Sequence, residues 1–153
     1  MNEGQWAHSG WGYKPHSIDE LMMSISRIGF LETGRRYVWR GVRDWHWPIR
    51  TSLQRYAARY DPHFDYRSEP YSRKLERQVL AHARYWRMDR AGTLSDQALL
   101  ASLQHHGSPT RFLDVSTDPM TALWFACERA PLDERDASGA LFAFDVSPDR
   151  ARN

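Results

Sequence analysis

Cysteine is almost missing from this sequence: Cys127 is the only one among 153 residues. That excludes an internal disulfide and a cysteine-built zinc site, and it points to a reducing compartment. Lysine is nearly as scarce, with Lys14 and Lys74 alone, so 19 of the 21 basic side chains are arginines. Guanidinium forks suit phosphates and carboxylates, since they donate two parallel hydrogen bonds where an ammonium offers a point charge; coding bias toward arginine is the plainer explanation. Long apolar runs are lacking as well. Near the N-terminus the longest is Leu21-Met22-Met23, far below the roughly 20 residues of a bilayer span, and the first fifteen residues contain no apolar signal core. A cytoplasmic location without membrane contact is the expectation. Nor does one sign of charge dominate: 21 basic against 19 acidic residues give +2, which does not by itself indicate a nucleic-acid binder. What is present, 41% hydrophobic and 13% aromatic residues, is enough to fill a core at this length.

Local patterns place the elements. Residues 1–16 show no period and read as an irregular segment, followed by one domain over 17–153. Ser17-Ile18-Asp19-Glu20 has capping-box spacing, and Ile18, Leu21, Met22, Ile25 and Ile28 follow on one helical stripe that ends near Gly29 or Gly34. Tyr37 to Gly41 is β-branched and aromatic and predicts a strand ending beside Arg40. A short helix is expected over Leu53–Tyr60, and a longer one over Ser72–Met88 with Leu75, Val79, His82, Ala83 and Trp86 on its apolar face. A third spans Ser95–His106, capped by Ser95 and closed by Gly107. Pro109–Val115 predicts a strand. Asp118-Pro119 opens a helix that buries Met120, Leu123, Trp124 and Cys127, and Ala140–Val146 predicts the last strand. This order fits an α+β domain better than an alternating parallel one.

Two segments place polar and special-geometry residues beside strands. One is Trp39-Arg40-Gly41, followed by Asp44, Trp47, Leu53 and Arg55; the other runs Leu103-Gln104-His105-His106-Gly107-Ser108-Pro109-Thr110-Arg111-Phe112-Leu113-Asp114-Val115-Ser116 and on through Asp118-Pro119 to Ala126. Together they resemble the FRG domain, a family with an aromatic-Arg-Gly motif near its start and a Leu-Gln-His-His/Tyr-Gly-x-Pro-Thr-Arg-Leu-Leu-Asp-Trp block later. Val115 stands where that family commonly has tryptophan. The resemblance covers about Ile18 to Val146 and implies a setting in phages and mobile elements. Behind it lies a second resemblance, to the ADP-ribosyltransferase fold, which implies a single compact α+β domain with a mixed sheet and flanking helices. It also implies NAD as substrate, with the early arginine holding the dinucleotide, the Ser-Thr segment bracing the nicotinamide pocket and a late-strand glutamate stabilising the ribose cation. Arg40 and Ser116 match the first two roles. The third is unfilled, because no glutamate follows Glu134.

The remaining candidates each carry two readings. Arg40 beside Gly41 either clamps a pyrophosphate or makes an ion pair with Asp44 or Asp114, and Gly41 lets a ligand approach the backbone. Arg111 has the same two readings. His105 and His106 supply a general base or a helix-end hydrogen bond; adjacent residues point about 100° apart on a helix, so a shared metal is not expected. Trp47, in the Trp45-His46-Trp47 cluster, stacks a base or nicotinamide ring or fills the core. Cys127 is either a thiol nucleophile acting with a histidine or, the favoured reading, a buried, inert thiol. Arg77, Arg84, Arg87 and Arg90 form a strip for nucleic-acid phosphates or a solvated face. The leading expectation is an NAD-binding, ADP-ribosyl-transferring effector in phage–host conflict, with a protein partner or acceptor. The competing one is a non-enzymatic inhibitor or adaptor that occludes a partner protein, and direct nucleic-acid binding is a third.

Overall fold

The structure, a computed structural model, describes residues 14–31, 34–61, 63, 65, 68–89, 92–128 and 138–148. Its class is α+β with flanking helices, as expected, but among the described residues the sheet is small and antiparallel where a mixed one was expected. The elements in chain order are α1 (Ile18–Ser26), β1 (Tyr37–Val42), α2 (Ser52–Tyr60), α3 (Glu69–Tyr85), α4 (Asp96–His105), α5 (Pro119–Cys127) and β2 (Ala140–Asp145). Contacts group the chain into two compact units. The first joins Met1–Pro48 to Asp114–Asn153, and the second is the continuous stretch Ile49–Leu113.

In the first unit, Ser17 caps α1 by accepting from the Glu20 N–H at 3.2 Å. Glu20 reaches back one residue further than a capping box requires, to the His16 N–H at 2.8 Å. A π-helical turn over Arg27–Leu31 ends the helix, and Gly34 takes φ +92°. β1 and β2 pair antiparallel from Tyr37 opposite Asp145 to Val42 opposite Ala140. Alternation gives the sheet two faces. Tyr37, Trp39, Leu141 and Ala143 pack with Ile25, Ala122 and Leu123, and Trp39 is 3% exposed at the centre of this core. Arg40 stands on the other face, directly opposite Phe142.

The apolar face of α5 differs from the expected one. Ala122 and Ala126 are buried, whereas Met120, Trp124 and Cys127 are exposed. The cause is a close backbone approach: a Cβ on Gly41 would meet the Ala122 carbonyl oxygen at 1.8 Å, and one on Gly139 would meet the Ala126 carbonyl oxygen at 2.1 Å. A helix seated that near two strands turns its smallest side chains inward. The expected inert, buried Cys127 is thereby corrected to an exposed thiol.

In the second unit, Thr51 and Gln54 form a complete capping box on α2. α3 starts earlier than expected, because Pro70 belongs to its first turn. Its inward side carries Ser72, Val79, Leu80 and Ala83; His82 and Trp86, expected there, are exposed. The helix ends at Tyr85, and Arg87 adopts the left-handed conformation at φ +54° in a turn closed by Met88 N–H donating to Ala83 C=O. Leu99, fully buried, centres a cluster with Ala83 and Leu103. Gly107, at φ +84°, closes α4 in a Schellman turn: its N–H donates to Gln104 C=O, and Ser108 N–H donates to Leu103 C=O.

Pro109–Val115 is not a strand. Thr110 directs its backbone groups to α2 instead, accepting from Leu53 N–H at 2.9 Å and donating its own N–H to the Ser52 hydroxyl at 2.9 Å. Only Ser116 pairs with the sheet, exchanging two 2.7 Å backbone hydrogen bonds with Trp39.

Candidate functional site

The end of β1 gathers several of the residues singled out above. Because Trp39 must face the core, its neighbour Arg40 faces away from it. The Arg40 guanidinium donates through Nη1 to the Asp114 carbonyl oxygen at 2.5 Å. The Trp39–Ser116 backbone pairing sets Ser116 directly opposite Trp39, so its side chain lies on Trp39's face of the sheet and Arg40's on the other, and the expected convergence of the two is not formed. The Ser116 hydroxyl accepts from Asp118 N–H at 3.0 Å, and so belongs to the turn that starts α5. Asp118 in turn accepts from Met120 N–H, Thr121 N–H and the Thr121 hydroxyl. The Thr121 hydroxyl, followed by the two backbone donors, holds the Asp118 carboxyl below its ordinary range. Gly41 offers its bare face to α5, so the space expected to admit a ligand holds helix backbone.

The loop that leaves β1 is built on Asp44. Its Oδ1 accepts from the His46 backbone N–H at 2.8 Å and lies 2.9 Å from His46 Nδ1, while Trp47 N–H donates to the Asp44 carbonyl oxygen. The His46 backbone N–H first, and then its ring, hold the Asp44 carboxyl below the usual carboxylate range. Trp45 stacks at a tilt on His46, with ring centroids 3.9 Å apart. Arg43 lies over the Trp47 indole at 5.6 Å from its centroid, and Trp47 keeps 43% of its surface exposed. This cation–π pair was not anticipated; its signal was an arginine four residues before a tryptophan in a loop. A shallow depression on this unit is lined by Asp19, Met22, Met23, Ser26 and Arg27 of α1 and its end, and by none of the residues just described.

The second unit holds the other candidates. His105 and His106 are both exposed at the end of α4, with their rings edge to face at 5.4 Å. Arg111 reaches two carboxylates of α3, Glu69 at 2.7 Å and Glu76 at 3.4 Å. Its expected anion is thus supplied by the protein, and its placement is that of a strut between the motif segment and α3. Glu69, bound also by Arg73, is held below the ordinary glutamate range, first by Arg73 and then by Arg111.

Two motif residues that sequence reasoning left without a role turn out to be a buried polar pair. Thr110 is fully buried and donates its hydroxyl to Gln104 Oε1, and its oxygen accepts from Phe112 N–H at 3.2 Å. With its backbone tied to Ser52 and Leu53, every polar group of Thr110 is satisfied, so this stretch of the motif locks α2, α4 and the segment after α4 together. The detectable signal was a glutamine in the last turn of a helix and a threonine just beyond the proline.

Among the described residues, no three histidine, cysteine or acidic side chains gather as a metal site, and no helix is long and apolar enough to cross a membrane. Against known families, the FRG domain matches residues 35–135, which includes both the Arg40 segment and the Gln104–Thr110 block. No curated protein and no solved structure matches the chain.

Proposed function

The chain belongs to the FRG domain family, and from that premise we propose that its first unit binds a nucleotide carrying a pyrophosphate, of the NAD type. The observation that carries this reading is the Arg43–Trp47 stack on the loop that leaves the strand bearing Arg40; Ser116, paired directly with Trp39, turns its side chain to Trp39's face of the sheet and not to Arg40's. A guanidinium offers a pyrophosphate paired donors, and an exposed indole offers an adenine or nicotinamide ring a stacking face. An ADP-ribosyltransferase-like architecture is part of the same proposal, as is an effector role in phage–host or mobile-element conflict, which rests on the family resemblance.

Transfer of ADP-ribose asks for more. Breaking the glycosidic bond develops positive charge on the ribose, and a nearby carboxylate must meet it. The late strand β2 ends in Asp145, whose carboxylate accepts from Ser147 N–H and pairs with Arg35 at 3.3 Å. The proposal is therefore binding first, with transfer tested separately by release of nicotinamide.

Calorimetric titration with NAD is the test. Saturable heat is expected with the intact chain, none with Arg40→Ala, and weakened binding with Arg40→Lys, which keeps the charge and loses the fork. If Arg40→Ala unfolds the protein, Trp47→Ala replaces it, since that ring is exposed and its removal leaves the core untouched. Absence of heat at millimolar NAD overturns the reading. A second reading, a non-enzymatic protein that occludes a partner, is favoured by the outer side of α5, where Trp124, Phe125 and Met120 are 61%, 48% and 46% exposed. It predicts that Trp124→Ala abolishes partner binding while NAD has no effect.

A further inference from the structure

The near-neutral total charge conceals a division between the two units. The stretch Ile49–Leu113 has eleven arginines and lysines against six aspartates and glutamates, a formal +5. The rest of the chain has ten against thirteen, a formal −3. Within the positive unit, four of the six acidic side chains are engaged by three arginines: Glu69 by Arg73 and Arg111, Glu76 by Arg111, and Asp89 and Asp96 by Arg84. Those contacts dissolve the strip expected on α3. Arg84 is bound to Asp89 at 2.7 Å and Asp96 at 2.6 Å, Arg87 lies beyond the helix end, and Arg90 falls outside the described residues.

The positive charge reappears with a different companion on α2. Its sequence Arg55-Tyr56-Ala57-Ala58-Arg59-Tyr60 repeats an Arg-Tyr pair at four-residue spacing. Leu53 and Ala57 are buried, so the helix turns Arg55, Tyr56, Arg59 and Tyr60 outward. The tyrosines are 51% and 67% exposed, with ring centroids 4.7 Å apart, and the arginines form a parallel pair about 100° around the helix. Arg55 is braced by donating to the Arg50 carbonyl at 2.6 Å. Two neighbouring aromatic rings in water have little value to the fold, since their burial is incomplete, and arginines beside them provide the counter-charge of a phosphate backbone.

We propose that this face of α2 binds single-stranded nucleic acid, with bases stacking on Tyr56 and Tyr60 and backbone phosphates meeting Arg55 and Arg59. A single strand is the fitting occupant because its bases present their faces, whereas a duplex hides them and would engage the arginines alone. An acidic protein would complement the charge and leave the tyrosine pair without a role. The site is separate from the one proposed for NAD and does not depend on it.

Fluorescence anisotropy of the full chain with labelled oligo(dT), oligo(U) and a duplex of equal length tests it. Both single strands are expected to bind more tightly than the duplex, and affinity should fall with salt at a log–log slope of about −0.7 per neutralised phosphate. Tyr60→Ala should weaken single-strand binding at least about fivefold, the lower end of base stacking on an aromatic side chain. Arg55→Ala with Arg59→Ala should flatten the salt slope by about 1.4 units, two phosphates' worth. All four side chains are exposed, and circular dichroism verifies that the variants fold. Equal affinity for duplex, competition by poly-glutamate as strong as by oligo(U), or indifference to Tyr60→Ala overturns the proposal, as does an absence of binding at 50 mM salt, an ionic strength of about that order being permissive for such contacts.

Discussion

Replacing Gly41 by alanine separates a structural from a ligand-binding glycine in the aromatic-Arg-Gly motif. The added Cβ would sit 1.8 Å from the Ala122 carbonyl oxygen, 2.7 Å from the Ala126 nitrogen and 2.9 Å from the Ala122 carbonyl carbon. Restoring even 3.0 Å to the nearest atom requires α5 and β1 to part by about 1.2 Å. No rotamer change relieves the clash, because all three atoms are helix backbone. A gap of about 1 Å forfeits up to half of the dispersion energy at each contact across it, and this is the interface where Trp39 and Ala122 are buried. Overpacking costs of about 1–3 kcal/mol are usual where side chains can adjust; here the expected loss is about 3 kcal/mol or more, out of a total of roughly 5–15. In urea, with a slope of about 1–3 kcal/mol/M, the midpoint should fall by 1 M or more, on the order of the ratio of the two figures. Gly34→Ala is the control: its φ is +92° with nothing within 4 Å, so it suffers only backbone strain of about 1–2 kcal/mol. A Gly41→Ala protein as stable as the parent would show that α5 is not seated on β1, and if it also lost NAD binding, the glycine would belong to a ligand.

Two further outcomes test other parts of the structure. Thr110→Val removes the hydroxyl that donates to Gln104 Oε1 and accepts from Phe112 N–H, and should cost about 1–3 kcal/mol by chemical denaturation; with Gln104→Leu added, a coupling of at least about 0.5 kcal/mol is expected, and strict additivity would refute the pairing. Asp44, Glu69 and Asp118 all have depressed carboxyl pKa values, so the unfolded chain takes up protons before the folded one as acid is added. Their stabilisation is complete above the ordinary carboxylate range and fades as pH falls through and below about 4. The melting temperature should decline there, and Asp118→Asn, which keeps a capping oxygen without the charge, should show a shallower decline; identical acid limbs would exclude the cap as a contributor.

Helix starts and stops were legible because they are local. Ser17, Ser95, Asp118-Pro119 and Gly107 act as the sequence indicated, each through bonds to residues within five positions. The α5 face was not legible. Nearly every residue of Pro-Met-Thr-Ala-Leu-Trp-Phe-Ala-Cys is apolar, so periodicity cannot choose a side, and the choice falls to how closely Gly41 and Gly139 let the helix approach. The segment after α4 failed as a strand for a similar reason: its Thr110 bonds to Ser52 and Leu53 of α2, across a distance in sequence that no local pattern encodes. At the candidate site, Arg40 and Ser116 were paired through resemblance alone, and the strand pairing sets their side chains on opposite faces. Arg111 was ambiguous until Glu69 and Glu76, more than thirty residues earlier, were seen to hold it. The polar residues of the long motif looked chemical in sequence, and Gln104 and Thr110 serve packing.

The first unit is assembled from two segments that flank the second in sequence, and this fixes an order of events at the ribosome. β1 has no strand to pair with until β2 is made, about a hundred residues later; at roughly 5–20 residues per second the nascent strand waits on the order of 5–20 s. The continuous stretch from Ile49 to Leu113 suffers no such delay and can mature as soon as it emerges. Until α5 is made, late in that interval, Trp39 and its neighbours have neither a sheet partner nor a helix to cover them, so the leading strand stands open to chaperones or to misassociation.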